Sequence, residues 1–172
     1  MAIDALLMAW GRLPAVKRQL VLVGDGPDRG RLRDLSSQLS GDCVRFDGCK
    51  TNILQYLHAA DVFVLPSRHE GLSVSLLEAA AAGLPLLASD IPANREIVKD
   101  NINGFLFEPG EVDDLQLHME RLLHSPDLRK KMGAASRHVA EQSYALEAIV
   151  KKHRDLYDKV LMGSDLPLGL NV

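Results

Sequence analysis

An α/β fold with a doubly wound, mostly parallel sheet is the architecture that this sequence predicts, and three observations carry it. Short apolar runs of strand length alternate with segments of helical periodicity almost throughout the chain. Two of these runs, Val62 to Leu65 and Leu84 to Ala88, are continuous where a half-exposed strand would alternate, which indicates strands covered on both faces. Small-residue turns rich in Gly, Asp and Pro follow several of the runs, at the places where a strand would hand over to a helix.

The elements follow in order. Asp4 to Leu13 carries apolar residues at helical spacing and stops at Pro14. Gln19 to Val23 is a short aliphatic run closed by Gly24-Asp25-Gly26-Pro27. Pro27 can open a helix, because the N–H that it lacks would be unpaired there in any case. That helix runs to about Ser40, with Gly41 ending it. Cys43 to Phe46 reads as a strand stopped by Asp47-Gly48, and Thr51 or Asn52 caps a helix through about Ala60. After the strand Val62 to Leu65 and the turn Pro66-Ser67-Arg68-His69, an Ala-rich helix ends at Gly83. Leu84 to Ala88, a short helix over Ala93 to Val98 and the strand Asn103 to Phe107 come next. Three helical patterns close the chain, over Asp113 to Leu123, Asp127 to Gln142 and Ala145 to Leu161. Residues 1–162 read as one domain, and the Gly- and Pro-containing tail over 163–172 is expected to fray.

Composition narrows the function classes. With 172 residues the chain can fill one core but not two full-sized domains. A net charge of −3 gives no electrostatic footprint for nucleic acid, though it leaves room for one phosphorylated small molecule bound by local donors. No apolar run approaches the roughly 20 residues that a spanning helix needs. The start Met1-Ala2-Ile3-Asp4 lacks a signal peptide's positive end, so a cytoplasmic protein is expected. Cys43 and Cys49 have no metal-site spacing and the six histidines are scattered, so no metal is expected.

The stretch with most chemistry runs from Glu70 to Glu78. A strand, a small-residue turn and a helix start in that order let backbone N–H groups face an anion. Glu70 lies in the turn and Glu78 in the first turns of the helix, an arrangement suited to a ligand with both a phosphate and hydroxyls, such as a nucleotide-sugar. The helix reads as apolar nearly all round, so Glu78 is expected to have a specific partner. Ser75 to Glu78 fits a capping box equally well, and Glu70 could be a solvated loop residue. Ser73 and Ser75 could meet a phosphate or cap the helix. Arg68 and His69 set a cation and a titratable imidazole beside Glu70. Gly24 follows a strand and could approach a phosphate, but its turn lacks a full GxGxxG fingerprint. Arg29, Arg31 and Arg33 read as a solvated helix face, and Cys49 and Lys50 lie where a base could lodge at a strand's carboxyl end. Asn94-Arg95-Glu96 reads as a capped short helix.

Taken together, these segments resemble the Rossmann-like, nucleotide-sugar-binding half of the retaining GT-B glycosyltransferases, of the family 4 or group 1 type. The matching blocks, in order, are Leu20 to Pro27, Val44 to Gly48, Ala60 to Ser67, Glu70-Gly71-Leu72 through Glu78-Ala79, Ala82 to Pro85, Asn103 to Leu106 and a closing helix with Tyr157. The resemblance implies that Glu70 holds the donor sugar's hydroxyls near the reacting carbon and that Glu78 accepts hydrogen bonds from the ribose. It also implies that amides around Gly71, Leu72 and Ser73 meet the sugar and diphosphate, that the Val74-Ser75 helix start faces the phosphate, and that Cys49 and Lys50 edge the base pocket. The donor would be a UDP-, GDP- or ADP-linked sugar, the acceptor a glycan or lipid-linked, and no metal or cofactor is implied.

The same resemblance marks departures. Its enzymes have two domains, and this sequence matches the later one, without the acceptor domain, the first strand and two cations of the diphosphate site. Losing charge-assisted donors costs on the order of 1.5–3 kcal/mol each, so the isolated chain is expected to bind a donor weakly and to transfer no sugar. An apolar face left for the missing parts could pair two copies into a homodimer. The full enzyme could sit at a membrane surface. Two other readings stay open, a non-catalytic α/β module that binds a nucleotide or partner and a nucleotide-sugar epimerase of related fold.

Overall fold

The computed structural model describes residues 2–14, 17–40 and 43–161. In chain order they form α1 (Ala2–Arg12), β1 (Leu20–Val23), α2 (Arg29–Ser40), β2 (Val44–Gly48), α3 (Leu54–Ala59), β3 (Phe63–Leu65) and α4 (Val74–Ala81). There follow β4 (Leu86–Ser89), α5 (Pro92–Ile97), β5 (Gly104–Phe107), α6 (Val112–His124), α7 (Pro126–Tyr144) and α8 (Leu146–Leu161). The α/β reading holds, and every ladder between these strands is parallel. Each strand reaches the next through a helix, the connection that parallel pairing requires, so the strands' carboxyl ends gather at one edge.

Alternate side chains build two cores. On one face Leu6, Leu7 and Ala9 of α1 and Leu115 and Leu122 of α6 pack with Leu20, Leu87, Phe105 and Phe107. On the other, Leu57 of α3, Leu76, Ala79 and Ala80 of α4 and Ile97 of α5 pack with Leu86 and Ala88. Helices therefore cover both faces, as double winding demands.

The sheet is not continuous. β1 pairs with β2 to form one sheet, and β3, β4 and β5 form another in that order. The expectation of strands covered on both faces is met by β4, whose four side chains are all fully buried. It is not met by β3, all of whose residues are only half-buried. The physical reason is the break itself: among the described residues no ladder joins β1 to β3, so each ends a sheet where an interior strand would be expected.

Element ends differ from the sequence reading by a few residues, with local causes. Pro27 and Asp28 form a turn, and α2 starts at Arg29, whose N–H reaches Gly26 O at 3.1 Å. Neither Thr51 nor Asn52 caps α3, which opens at Ile53 without a side-chain cap. The expected fraying of 163–172 lies outside the described residues.

Close packing of β5 on β4 yields a first prediction. A Cβ at Gly104 would lie 1.9 Å from Leu86 O, backbone of the most buried strand. Gly104→Ala is expected to cost about 3 kcal/mol by urea unfolding, because β4 cannot yield without disturbing both cores. Gly26→Ala, whose Cβ meets nothing within 4 Å, is expected to stay within about 0.5 kcal/mol of the parent.

Candidate functional site

The loop from β3 to α4 is anchored at its root and open beyond it. Pro66 is buried, and Ser67 O accepts a short hydrogen bond from Ser89 Oγ at the end of β4. Asn94 of α5, with no exposed surface, donates its side-chain amide to Ser89 O at 2.9 Å and to Ser89 Oγ at 3.2 Å. Past this tie Arg68, His69, Glu70, Gly71 and Leu72 are all exposed. Arg68 reaches the turn after β5, with its Nη2 3.4 Å from where a Cβ of Gly110 would stand.

The start of α4 decides between the two readings of Ser75 to Glu78. The N-cap is Ser73, in extended conformation and almost fully buried, and its Oγ accepts from Leu76 N at 3.4 Å. Ser75 Oγ lies within hydrogen-bond distance of Ser73 Oγ, at 3.2 Å, and Ser73 alone caps the helix. A capping box would need its acid at the third helical position, which is Leu76; Glu78 stands two residues too far along. Glu78 follows Val74 by one turn, on the same exposed strip and about 6 Å further up the axis. The buried face of α4 is Leu76, Ala79 and Ala80. The expected all-round apolar helix with a partner for Glu78 is therefore corrected: the helix has one buried face, and Glu78 points to solvent.

Neither Glu70 nor Glu78 makes a hydrogen bond or ion pair through its side chain among the described residues. Among the same residues, the backbone N–H groups of Gly71, Leu72, Ser73, Val74 and Ser75 donate to no protein acceptor. For Val74 and Ser75 this is the ordinary lot of a helix's first turn. Two free carboxylates thus flank a row of free donors at the positive end of α4.

Two further loops lie at the carboxyl ends of β1 and β2. Gly24, at a φ of 133° that favours glycine, gives its N–H to Gly48 O at 2.9 Å. That donor is taken by the neighbouring strand, and what Gly24 leaves open is space, since a Cβ there meets nothing within 4 Å. Arg29 holds the turn, with Nη1 2.7 Å from Asp25 Oδ2. The reading of Arg29, Arg31 and Arg33 as a merely solvated face is corrected in turn. Arg31 pairs with Asp4 of α1, and the Arg33 guanidinium lies 5.7 Å from the Phe46 ring centre, so the three fasten α2 to its neighbours.

Cys49 and Lys50 are exposed just past β2. The strand end beside them is pinned by Asp47, which accepts from Arg45 Nε at 2.7 Å, Arg45 Nη2 at 2.8 Å and Tyr56 OH at 2.9 Å. The Arg45 hydrogen bonds hold the Asp47 carboxyl below its usual range, with smaller contributions from Tyr56 and Lys50, and the same carboxylate raises the Tyr56 phenol.

Three residues of the site's frame, Ser67, Ser89 and Asn94, were not picked out by sequence reasoning as acting together. Ser89 at the end of an apolar run was the one available signal. Asn94-Arg95-Glu96 lies in the expected short helix, α5, but without the expected cap: Ile91 is at the N-cap with no side-chain cap, Asn94 holds the loop, and Arg95 pairs with Asp90.

Against known proteins, the glycosyl transferases group 1 pattern matches residues 2–139. The chain belongs to that family. A lipopolysaccharide core biosynthesis glycosyltransferase of Rhizobium meliloti is 32% identical over 154 residues, covering 87% of this chain and 45% of its own length. An N-acetyl-alpha-D-glucosaminyl L-malate synthase of Bacillus anthracis is 30% identical over 147 residues, covering 85% of the chain and 39% of its own. Sucrose-phosphate synthase from Thermosynechococcus elongatus shares the fold at a TM-score of 0.82 and 28% identity, over 95% of this chain and 43% of that one. Anabaena HepE, solved with UDP and glucose, shares the fold at a TM-score of 0.81 and 22% identity, over 90% and 44%. The group 1 chain thus spans less than half the length of these relatives, and its fold is that of the GT-B glycosyltransferases.

The Asp47 cluster gives a pH prediction. A carboxylate depressed in the folded state adds stability above its unfolded pKa, near 3.8, and that stability is lost as pH falls through the folded value. Asp47→Asn should therefore be less stable than the parent at pH 7, with the gap closing below pH about 4. Urea midpoints of both proteins across that range check it.

Proposed function

We propose that this chain is the donor-binding part of a glycosyltransferase that moves a sugar from a nucleoside-diphosphate sugar to a hydroxyl of a glycan or lipid-linked acceptor, with retention at the anomeric carbon. The observation that carries the reading is the pair of unpartnered carboxylates, Glu70 and Glu78, on either side of the free amides that open α4. Backbone donors there suit a diphosphate, and carboxylates suit hydroxyls, which only donate to them.

In this reading the amides of Gly71, Leu72 and Ser73 and the Val74-Ser75 end of α4 hold the diphosphate and stabilise its charge as it leaves. Glu70, ahead of that helix end, holds the donor sugar's hydroxyls beside the reacting carbon. Glu78, one turn up the helix, accepts from the ribose hydroxyls. Cys49 and Lys50 edge the base, the open space at Gly24 admits the donor close to backbone, and Arg68 and His69 border the sugar end. The acceptor hydroxyl oxygen attacks the anomeric carbon on the face that the diphosphate leaves, the bond from that carbon to the diphosphate oxygen breaks, and the hydroxyl proton passes to the departing diphosphate. The protein's part is positioning and charge stabilisation, with no metal and no cofactor called for. The acceptor side would come from a second domain, so the chain alone would bind its donor and transfer no sugar. A cytoplasmic enzyme, peripheral to a membrane when its acceptor is lipid-linked, accords with described helices none of which is long and apolar enough to cross one.

NMR titration of the chain with UDP, GDP and ADP tests the reading, with UDP first because HepE was solved with it. Saturable shifts at residues 70–80 and at Gly24, Cys49 and Lys50, for one nucleotide of the three, are expected. Glu78→Ala should weaken them at least about tenfold, since a charged hydrogen bond is worth roughly 1.5–3 kcal/mol. Glu78 lies on an exposed strip where Ala is a good helix former, so the variant should fold. No saturable shift with any of the three at millimolar concentration would sink the proposal.

A further inference from the structure

We propose that His118 of α6 is a proton-operated latch on the outer edge of β5. Neutral, it seats the start of α6 and the carboxylate that closes that edge; protonated, it releases them. The inference rests on the fold alone and is independent of where a donor binds.

β5 ends its sheet, so among the described residues no strand pairs with its outer edge. Asn103 O and Phe107 O accept from Leu86 N and Asp90 N on the β4 side, so by alternation Gly104, Leu106 and Glu108 present their backbone groups outward. An open edge of this kind invites pairing with another chain. Here it is covered from both ends. Gly104 O accepts from Asn101 N at 2.9 Å, and Leu106 N donates to Asp100 Oδ1 at 3.0 Å. Glu108 N, just past the strand, donates to Asp114 Oδ2 at 2.9 Å. His118 stands one turn further along α6, with Nε2 3.4 Å from the other oxygen of Asp114. Its ring lies on the Phe105 ring, with centres 4.5 Å apart and planes 15° apart. The imidazole thus seats the acid that closes the edge.

The surroundings of the ring suit one N–H and not two. With its proton on Nε2 the imidazole faces Asp114, while Nδ1 is buried without a partner. A second N–H, at Nδ1, would be a buried donor with no acceptor, which favours any state that wets it. The added charge would also meet the Arg121 guanidinium, 4.2 Å from the centre of the same Phe105 ring. The charged groups that bear on His118 are Asp114 and Arg121 of α6 and Asp100 ahead of β5. β5 itself offers the Phe105 ring, and α1 and α7, also packed on α6, add no charge among the described residues.

Burial above all holds the imidazole below its usual range; Asp114 and Asp100 oppose that and Arg121 adds to it. Stability is therefore full above pH 6.5, where folded and unfolded chains both hold a neutral ring, and it falls as pH drops below that value. The side chain is 13% exposed, so a small outward movement of the first turns of α6 hydrates it and takes Asp114 off Glu108 N. Glu108 also opens the turn that carries Gly110, against which Arg68 lies, so the latch bears on the Glu70 loop through that turn.

NMR of the chain from pH about 8 to about 5 tests the proposal through histidine ring shifts and amide exchange. The His118 ring is expected to titrate below 6.5. Exchange at Leu106 and Glu108, corrected for its intrinsic pH dependence, should speed at least about fivefold in acid along the same midpoint, with shifts at Gly110 and Arg68 following. His118→Phe keeps a ring on Phe105 but takes no proton, and should lose that response. His118→Gln, smaller and also neutral, is the second variant and should lose it as well. A His118 ring that titrates at 6.5 or above, or exchange at the two amides that does not respond to acid in the parent, would overturn the proposal. So would an undiminished acid response in either folded variant.

Discussion

Strand β4 is the element on which the rest of the second sheet depends. Leu86, Leu87, Ala88 and Ser89 have no exposed surface, with Leu87 turned into the core under α1 and α6 and its neighbours into the core under α4. Because each face belongs to a different core, β4 couples the two, and small displacements along it have no free volume to relax into. The same strand ends in Ser89, whose hydroxyl and carbonyl hold Ser67 and Asn94. The root of the Glu70 loop is thereby fastened to the most rigid part of the molecule. A site on a loop with a rigid root can keep its outer residues exposed without losing their geometry.

Exposure at that loop has a chemical meaning that burial elsewhere lacks. Leu72 and Val74 are more than half exposed beside Glu70 and Glu78, a combination of apolar surface and unpaired carboxylates that adds little to folding. The helix end contributes partial positive charge, and the buried Ser73 cap fixes where that end stands. Three carboxylates at neighbouring turns are matched: Asp25 with Arg29, Asp47 with Arg45, Asp90 with Arg95. Those pairs are exposed and individually weak, but they pin the turns that frame the open loop.

Helix α1 links the two sheets. Leu6, Leu7 and Ala9 are its buried face, Asp4 pairs with Arg31 of α2, and Arg12 pairs with Asp113 of α6 at 2.5 Å. Where strands do not pair, side-chain packing beneath one helix holds the halves together, and the half-wet aliphatic surface of β1 and β3 is the cost. A layer of helices can bridge a gap in a sheet because helix packing is non-directional, whereas the ladder's hydrogen bonds need a neighbour at fixed distance.

Much of this was legible in the sequence. The alternation of apolar runs and helical periods, the parallel sheet, the two-faced cover of β4 and the strand–turn–helix setting of Glu70 all depend on local residue order, so they could be read from residues such as Leu86 to Ser89 or Gly71 to Val74. What only the tertiary structure decided depends on distances between remote parts of the chain. Ser73, not Ser75, caps α4, because the cap is chosen by which hydroxyl reaches Leu76 N. Gly24's N–H is taken by Gly48, and the arginines of α2 are bound to Asp25, Asp4 and Phe46, partners that no local spacing identifies. The break between β1 and β3 is of the same kind: a strand's own residues specify that it is a strand, and only the assembled sheet specifies whether it has a neighbour.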